Sequence, residues 1–335
     1  MNSKIERSRL PAEWEEHSAC WLAFPYRQDQ WSDYLEEAQA EHIACCRAIA
    51  EQGGEPVRLL VNDAYVRDRA RELLGNHPNI ELLVLPYGDS WTRDFLPSFA
   101  LNDENALIST LFDFNGWGGK YVMEGDDSAG QKVAELTESA VYRYGFVGEG
   151  GAIDSNGAGA LLVSESCLLR DDRNPNTARS FMNERFAEVG IRDVYWIEGA
   201  LQNDHTDGHI DTIARFVNES TVVCTQPEPD HPNADALRRI ERQLQASPFT
   251  VLTLPCPEAR YDDEGNIFPS SYTNFYIANR AVIVPQYGGA HDEEALSVLR
   301  SCFPDRSVVG VSAKHIIRGG GAVHCITQQQ PVSRP

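Results

Sequence analysis

HIDTIARFVNESTVVCTQP, residues 209–227, is the stretch whose reading decides the fold. A polar triplet leads into a β-branched and aromatic run, an Asn-containing turn and a second apolar run, which is the pattern of a β-hairpin. Downstream, NADALRRIERQLQA (233–246) places Ala236, Ile240 and Leu244 four apart on one helical face. TVLTL (250–254) then reads as a short apolar strand. The unit is strand, strand, helix, strand.

Working outward, the same grammar returns in DFLPSFALNDENALISTLFDF (94–114), GGAIDSNGAGALLVSESCLL (150–169) and TNFYIANRAVIVPQY (273–287). Amphipathic helical stretches follow at 128–141, 177–189 and 292–302, with returning strands at VYWI (194–197) and VVGV (308–311). A fifth copy closes the set if AVHCITQ (322–328) pairs with SACWLAF (18–24), the helix is 33–51 and the returning strand is VRLLV (57–61) or ELLVL (81–85). Five units in 335 residues average about 67 residues each. The expectation is an α/β chain forming one catalytic domain, 1–335, of five ββαβ pseudo-repeats. A generic α/β protein also alternates strands and helices. Here, however, polar motifs fall at the lead-ins to the hairpins, where a ring would gather them near its axis.

The bulk composition, 42% hydrophobic and 24% charged, is that of a globular protein. Fifty acidic and 29 basic residues give a net charge of -21, which repels nucleic acid and anionic membrane but tolerates a small cationic substrate. There is no run of ~18 apolar residues to span a bilayer. The N-terminal MNSKIERSRLPAEWEEHSACW lacks the apolar core of a signal peptide, so cytoplasm is the expected location. The eight cysteines include no CxxC pair and read as reduced thiols rather than a disulfide framework or a structural zinc site.

Four polar clusters stand at the lead-ins: GDSWTRD (88–94), GEGG (148–151), NDHTDGHID (203–211) and GGGAVHC (319–325). The last holds Cys325, a candidate nucleophile, behind a glycine triplet that would let a ligand approach bare backbone. His209 is the candidate general acid and base. On a strand, Asp211 would share a face with it. Asp94 opens another hairpin at an equivalent place. Two carboxylates around one pocket call for a cation between them, and a planar guanidinium suits paired bidentate contacts. Trp91 could stack on that plane, and an ion pair of Asp94 with Arg93 is the competing use of that carboxylate. A metal reading also exists, because His205, His209 and Asp211 form HxxxHxD; the glycine inside TDGHID and the strand that follows are poor helix context for it.

PAEWEEHSACWLAFP (11–25), DSWTRD, FNGWGGKY (114–121), EGG, DRNP (172–175), TDGHIDTIARF (206–216), PSSYTNFYIAN (269–279) and GGGAVHCITQQQP (319–331) together resemble the agmatine deiminase family, also called the bacterial-type peptidylarginine deiminase family. The resemblance covers nearly the whole chain. It implies a five-bladed pseudo-symmetric α/β propeller, the pentein fold, which agrees with the repeat count. It also implies Cys325 as nucleophile, His209 as general acid/base, Glu149 as the carboxylate orienting that histidine, Asp94 and Asp211 as guanidinium anchors, and Trp91 in the substrate slot. The expected reaction is hydrolysis of a small guanidino compound, with agmatine first, without metal or organic cofactor. Free arginine and peptidyl-arginine are the alternatives, with an amidinotransferase or a non-catalytic guanidinium binder behind them. A homo-oligomer is left open.

Three departures stand out. RDFLP (93–97) has Leu96 where the family has glycine in RDTGP, and GAIDSNGAG (151–159) replaces the commoner SIxxDGxGT. The position before TDGH is commonly acidic, holding a distal ammonium; here it is His205, with Asp204 as the expected substitute.

Overall fold

The computed structural model describes residues 8–334, which contain five β-sheets. Each is built on an antiparallel strand pair, a hairpin in four of the five, with one of the two joined through a helix to a parallel third strand. The first sheet contains Ser98–Asn102, Leu107–Asp113 and Ala140–Val147, with Ser8–Arg9 added at its edge. The second holds Ile153–Ser155, Ala160–Ser164 and Asp193–Ile197; the third holds Ala214–Asn218, Thr221–Thr225 and Thr250–Leu254. The fourth holds Tyr276–Ile277, Ala281–Gln286 and Ser307–Ser312. The fifth joins the two ends of the chain, pairing Gln328–Pro331 with His17–Ala23, which is followed by Val57–Val61 and Ile80–Val84. Each unit packs against the next and the fifth against the first, giving the expected five-bladed α/β propeller.

Local chemistry explains the hairpins. Asn102, Asn156 and Asn218 each turn the side-chain oxygen onto backbone N–H groups two or four residues on, closing the loop at 2.8–3.0 Å. The helices bury one stripe each. In Ala234–Gln245 the buried residues are Ala234, Leu237, Ile240 and Leu244, so Leu237 takes the core position that the four-residue spacing had assigned to Ala236.

The fifth unit differs from expectation in two ways. The strand partnering His17–Ala23 is Gln328–Pro331, not 322–328, because Val323–Ile326 is a turn. Both VRLLV and ELLVL are strands of this sheet, linked by an additional helix, Ala64–Leu74. Among the described residues no helix is long and apolar enough to cross a membrane.

Candidate active site

Every hairpin is preceded by a short turn of buried chain, and these five turns carry the site. They are Thr92–Phe95, Gly150–Ala152, Ile210–Ile213, the turn at Tyr272–Thr273 and the turn at Val323–Ile326. The sequence reading put His209, Asp211 and Cys325 on strands. Instead, the strands start at Ala214 and Gln328, because main-chain groups of the turns bond across to neighbouring units rather than along their own sheets. Gly151 N–H donates to Asp94 at 3.1 Å and Thr273 Oγ1 to the Asp211 carbonyl at 3.1 Å. His324 N–H donates to the Asn274 carbonyl at 3.0 Å, and Arg93 N–H to the Cys325 carbonyl at 3.2 Å.

These links bring the predicted side chains together. The point where a Cβ on Gly151 would sit lies 2.5 Å from His209 Nδ1, 2.9 Å from Asp94 Oδ1 and 3.1 Å from Asp211 Oδ2. Any side chain there would fill the hollow, which is why EGG needs its last glycine. His209 is fully buried, with Nδ1 3.6 Å from Asp94 and Nε2 3.7 Å from Glu149, and neither ring nitrogen has a hydrogen-bond partner. Burial alone would depress its pKa, but Asp94, Cys167 and Glu149 outweigh that and hold the imidazole well above its ordinary value.

The carboxylates are set apart by their surroundings. Asp94 is raised to about 6, by burial and then by Asp211 and Glu149 against the pull of His209. It accepts from Trp117 Nε1 at 2.8 Å, and Arg93 is not its partner. Burial works to raise Asp211 and Glu149 as well, but their neighbours reverse the sign: hydrogen bonding to His324, then His209 and Arg215, for Asp211, and His209 and Arg173 for Glu149. Asp211 keeps Oδ1 buried and unpartnered. The site thus holds an acceptor awaiting a donor and a histidine carrying a proton.

Cys325 is 3% exposed, and its Sγ lies 3.5 Å from Asp211 Oδ2 and accepts from Asn274 Nδ2 at 3.2 Å. Burial, then the Asp211 and Asp94 carboxylates, push its thiol well above the ordinary range. Without a cation the sulfur is therefore a thiol, and a guanidinium between Asp94 and Asp211 would cancel the charges that keep it so.

A supporting layer completes the site, and sequence reasoning assigned it no roles. Asn274, from the fourth unit, bonds sulfur through Nδ2 and accepts from the His324 and Cys325 N–H groups through Oδ1. Arg173 of DRNP donates to both Glu149 oxygens, at 2.8 and 3.2 Å, and to Asp207 at 2.7 Å. His324 bridges Asp211 at 2.7 Å and Glu13 at 2.8 Å, and Glu13 also meets Arg93 and Arg215. The motifs containing these residues are visible in the sequence, but which partner each one serves depends on ring closure.

From Cys325 the site opens into a cavity of about 140 Å³, lined among others by Trp91, Asp94, Trp117, His205, Arg318 and the glycines. Trp91 stacks on Trp31 with centroids 5.7 Å apart, and both indole N–H groups donate to Asp89, whose carboxyl burial raises to about 6. The glycine triplet is required by this wall. A Cβ on Gly319 or Gly321 would approach Trp91 to 2.7 or 2.6 Å, so the glycines admit the indole rather than a passing ligand.

Asp204 does not line the cavity. Its carboxylate accepts from Thr206 N, Thr206 Oγ1 and Gly208 N at 2.6–3.0 Å, shaping the loop that carries His209 and correcting its expected role at a distal ammonium. His205 does line it, its ring tilted 34° against that of Tyr121 with centroids 5.5 Å apart. Burial, then Lys120, lowers the His205 pKa against the pull of Asp204 and Asp207. The HxxxHxD metal set is not assembled: among the described residues, the ligand group within metal-binding reach that includes His209 is Glu149, Cys167 and His209, with ligand atoms within 4.8 Å of one another. Arg173 already occupies both oxygens of that Glu149, which sets a fixed cation against the position.

Comparison with known proteins finds relatives along the whole chain. A family model described as Porphyromonas-type peptidyl-arginine deiminase matches residues 9–331. A Legionella pneumophila protein named "Putative agmatine deiminase" is 35% identical, over 97% of this chain and 95% of its own. Among solved structures, the agmatine deiminase of Enterococcus faecalis is 30% identical with a TM-score of 0.90, covering 97% of this chain and 96% of that one. A cysteine-to-serine variant of the C. jejuni agmatine deiminase with substrate bound is 27% identical with a TM-score of 0.91, covering both chains fully at 100%.

Proposed function

Because this chain belongs to the Porphyromonas-type peptidyl-arginine deiminase family, a family of hydrolases acting on guanidino C–N bonds, we propose that it deiminates a small guanidino compound through a covalent intermediate on Cys325. Agmatine, giving N-carbamoylputrescine and ammonia, is the substrate to which the names of its relatives point. The observation that carries the reading is the convergence of His209, Asp94 and Asp211 on the hollow over Gly151, with the Cys325 sulfur 3.5 Å from Asp211.

The guanidinium enters between Asp94 and Asp211, whose unpartnered Oδ1 receives one of its N–H groups. Its charge offsets theirs, so Cys325 loses its proton to solvent and the thiolate attacks the guanidinium carbon. His209, protonated in the free site, gives its proton to the departing nitrogen. The C–N bond breaks, ammonia leaves and a thiouronium remains on sulfur. The now neutral His209 takes a proton from water, and the resulting hydroxide adds to the same carbon. Collapse breaks the C–S bond and the adduct's hydroxyl proton passes to the leaving sulfur, so the ureido product and the Cys325 thiol form together while His209 is again protonated. Glu149, fixed by Arg173, orients the imidazole throughout.

Free arginine would bring a carboxylate, but Arg93 and Arg215, the arginines of the DSWTRD and TDGHIDTIARF motifs, are both engaged with Glu13. Measuring ureido product from agmatine, arginine and an arginyl peptide in parallel tests the reading. No product from agmatine would overturn the choice of substrate. No product from any of the three would overturn the reaction class.

A further inference from the structure

Two carboxylates line the cavity, Asp94 at the guanidinium position and Asp89 away from it. Asp89 is 3% exposed, and its oxygens accept from the Trp31 and Trp91 indoles at 2.8 and 3.0 Å. Both donors are neutral, so they orient the carboxylate and leave its charge standing. Burial raises its pKa to about 6 against the pull of the indoles and of Arg27, and Arg27 is itself paired with Asp29 at 2.6 Å. Arg318 also lines the cavity, but its guanidinium rests against the rings of Tyr34 and Phe268, 4.6 and 5.7 Å from their centroids. A buried carboxylate with no paired cation is costly unless a ligand brings one. Behind it Asp126 accepts from the Gly88 N–H at 2.7 Å and keeps Oδ2 buried without a hydrogen-bond partner, which adds acceptors at this end.

Trp91 fixes how this carboxylate stands to the sulfur. The Nε1 end of its indole is 3.0 Å from Asp89 Oδ2. At the opposite edge of the ring, Cζ3 lies 2.6 Å from the point where a Cβ on Gly321 would sit, and that point is 3.0 Å from Cys325 Sγ. Asp89 and Cys325 therefore lie beyond opposite ends of one indole, which is cavity wall. A tetramethylene chain spans a length of that kind. His205, at the commonly acidic position, has its pKa lowered, is neutral near pH 7 and supplies no counter-charge. Asp89 is thus the carboxylate left for a second positive group on the substrate.

We propose that Asp89 receives the distal ammonium of agmatine and is the residue by which this chain selects a guanidino compound with a second positive charge. This rests on the guanidino deimination reading and names what sets its substrate. Each carboxylate oxygen offers more than one lone pair, so an ammonium adds a charge-assisted hydrogen bond without displacing the indoles. Free arginine carries that ammonium on a carbon that also bears a carboxylate. The arginine carboxylate would come beside Asp89, where two like charges repel across a partly dry space. One residue therefore favours the diamine-like substrate and disfavours the amino acid.

The test compares agmatine with pentylguanidine, which matches its length and lacks the ammonium, in the wild type, Asp89→Asn and Asp89→Glu. In the wild type kcat/KM for agmatine should exceed that for pentylguanidine by about 10- to 100-fold, and Asp89→Asn should remove most of that ratio, as for the loss of a charge-assisted pair. Asp89→Glu keeps the charge and advances it by one methylene, so its preference should move from agmatine toward 3-aminopropylguanidine. A merely structural role at the two indoles would not produce that shift in length. Because the substrates are compared on the same variant, any loss of folded protein cancels in the ratio, and if Asp89→Asn fails to fold the length shift in Asp89→Glu decides. A wild type indifferent to the ammonium, a ratio unchanged in Asp89→Asn, or a length preference unchanged in Asp89→Glu overturns the proposal while leaving deimination standing. Absence of ureido product from both agmatine and pentylguanidine overturns the deimination reading and this proposal together.

Discussion

Replacing Gly321 with alanine tests whether the triplet serves the wall behind the nucleophile. The added Cβ would sit 2.6 Å from Trp91 Cζ3, 2.8 Å from Cys325 Cβ and 3.0 Å from Cys325 Sγ, whereas ordinary contact begins at 3.4 Å. Trp91 would have to retreat by about 0.8 Å, but it is stacked on Trp31 and its N–H is committed to Asp89. The thiol side must therefore give by several tenths of an ångström. Gly321 does not adopt a left-handed conformation, so the effect is steric. Overpacking of this kind costs about 1–3 kcal/mol, less the ~0.4–1 kcal/mol gained from a stiffer unfolded chain. A nucleophile displaced by a substantial part of an ångström loses up to about 10²-fold in rate. Steady-state kinetics with a guanidino substrate should show kcat reduced by about 30- to 100-fold, with a melting temperature lower by a few degrees. Gly289→Ala, where the nearest atom is the flexible Glu258 carboxylate at 3.3 Å, is the neutral control. Wild-type kcat in Gly321→Ala would refute the packing argument.

Three other outcomes follow from the charges. Asp94, raised to about 6, must be ionised to hold a guanidinium, so log kcat/KM should fall with unit slope below about pH 6; a profile flat to pH 4.5 would contradict this. Asp126, raised to about 7 chiefly by burial, has a folded pKa above its unfolded value, so its contribution to stability is complete at low pH and lost as pH rises through 7. Relative to Asp126→Asn, the wild type should therefore gain several degrees in melting temperature between pH 8 and pH 5, and a constant difference would count against it. Asp204→Ala removes three loop hydrogen bonds leading to His209 and should lower kcat by about tenfold for every guanidino substrate. A rise in KM confined to agmatine would instead restore Asp204 to the distal end.

Much of the architecture could be read from the chain because each unit declares itself locally. Asn turns close at 102, 156 and 218, helices show their stripe, and polar clusters recur at one place in the unit. The lead-in turns were misread as strands because alternating residues such as HIDTI look the same in either state; what decides is that their N–H groups bond to the next unit. The missed residues are those whose meaning is a partner distant in sequence: Asn274 for Cys325, Arg173 for Glu149, and Glu13 for His324. Asp204 was misplaced for the opposite reason, since its carboxylate serves its own loop, and a proximity argument along the sequence could not separate the two uses.

The covalent step at Cys325 is the centre of the account, and acid-quenched peptide mass spectrometry during turnover tests it most directly. The peptide holding Cys325 should carry the mass of the substrate less ammonia, the adduct should vanish once substrate is exhausted, and Cys325→Ala should show neither adduct nor product. Full turnover by Cys325→Ala, or rapid turnover by the wild type with the label on another residue, would contradict the assignment of Cys325 as nucleophile.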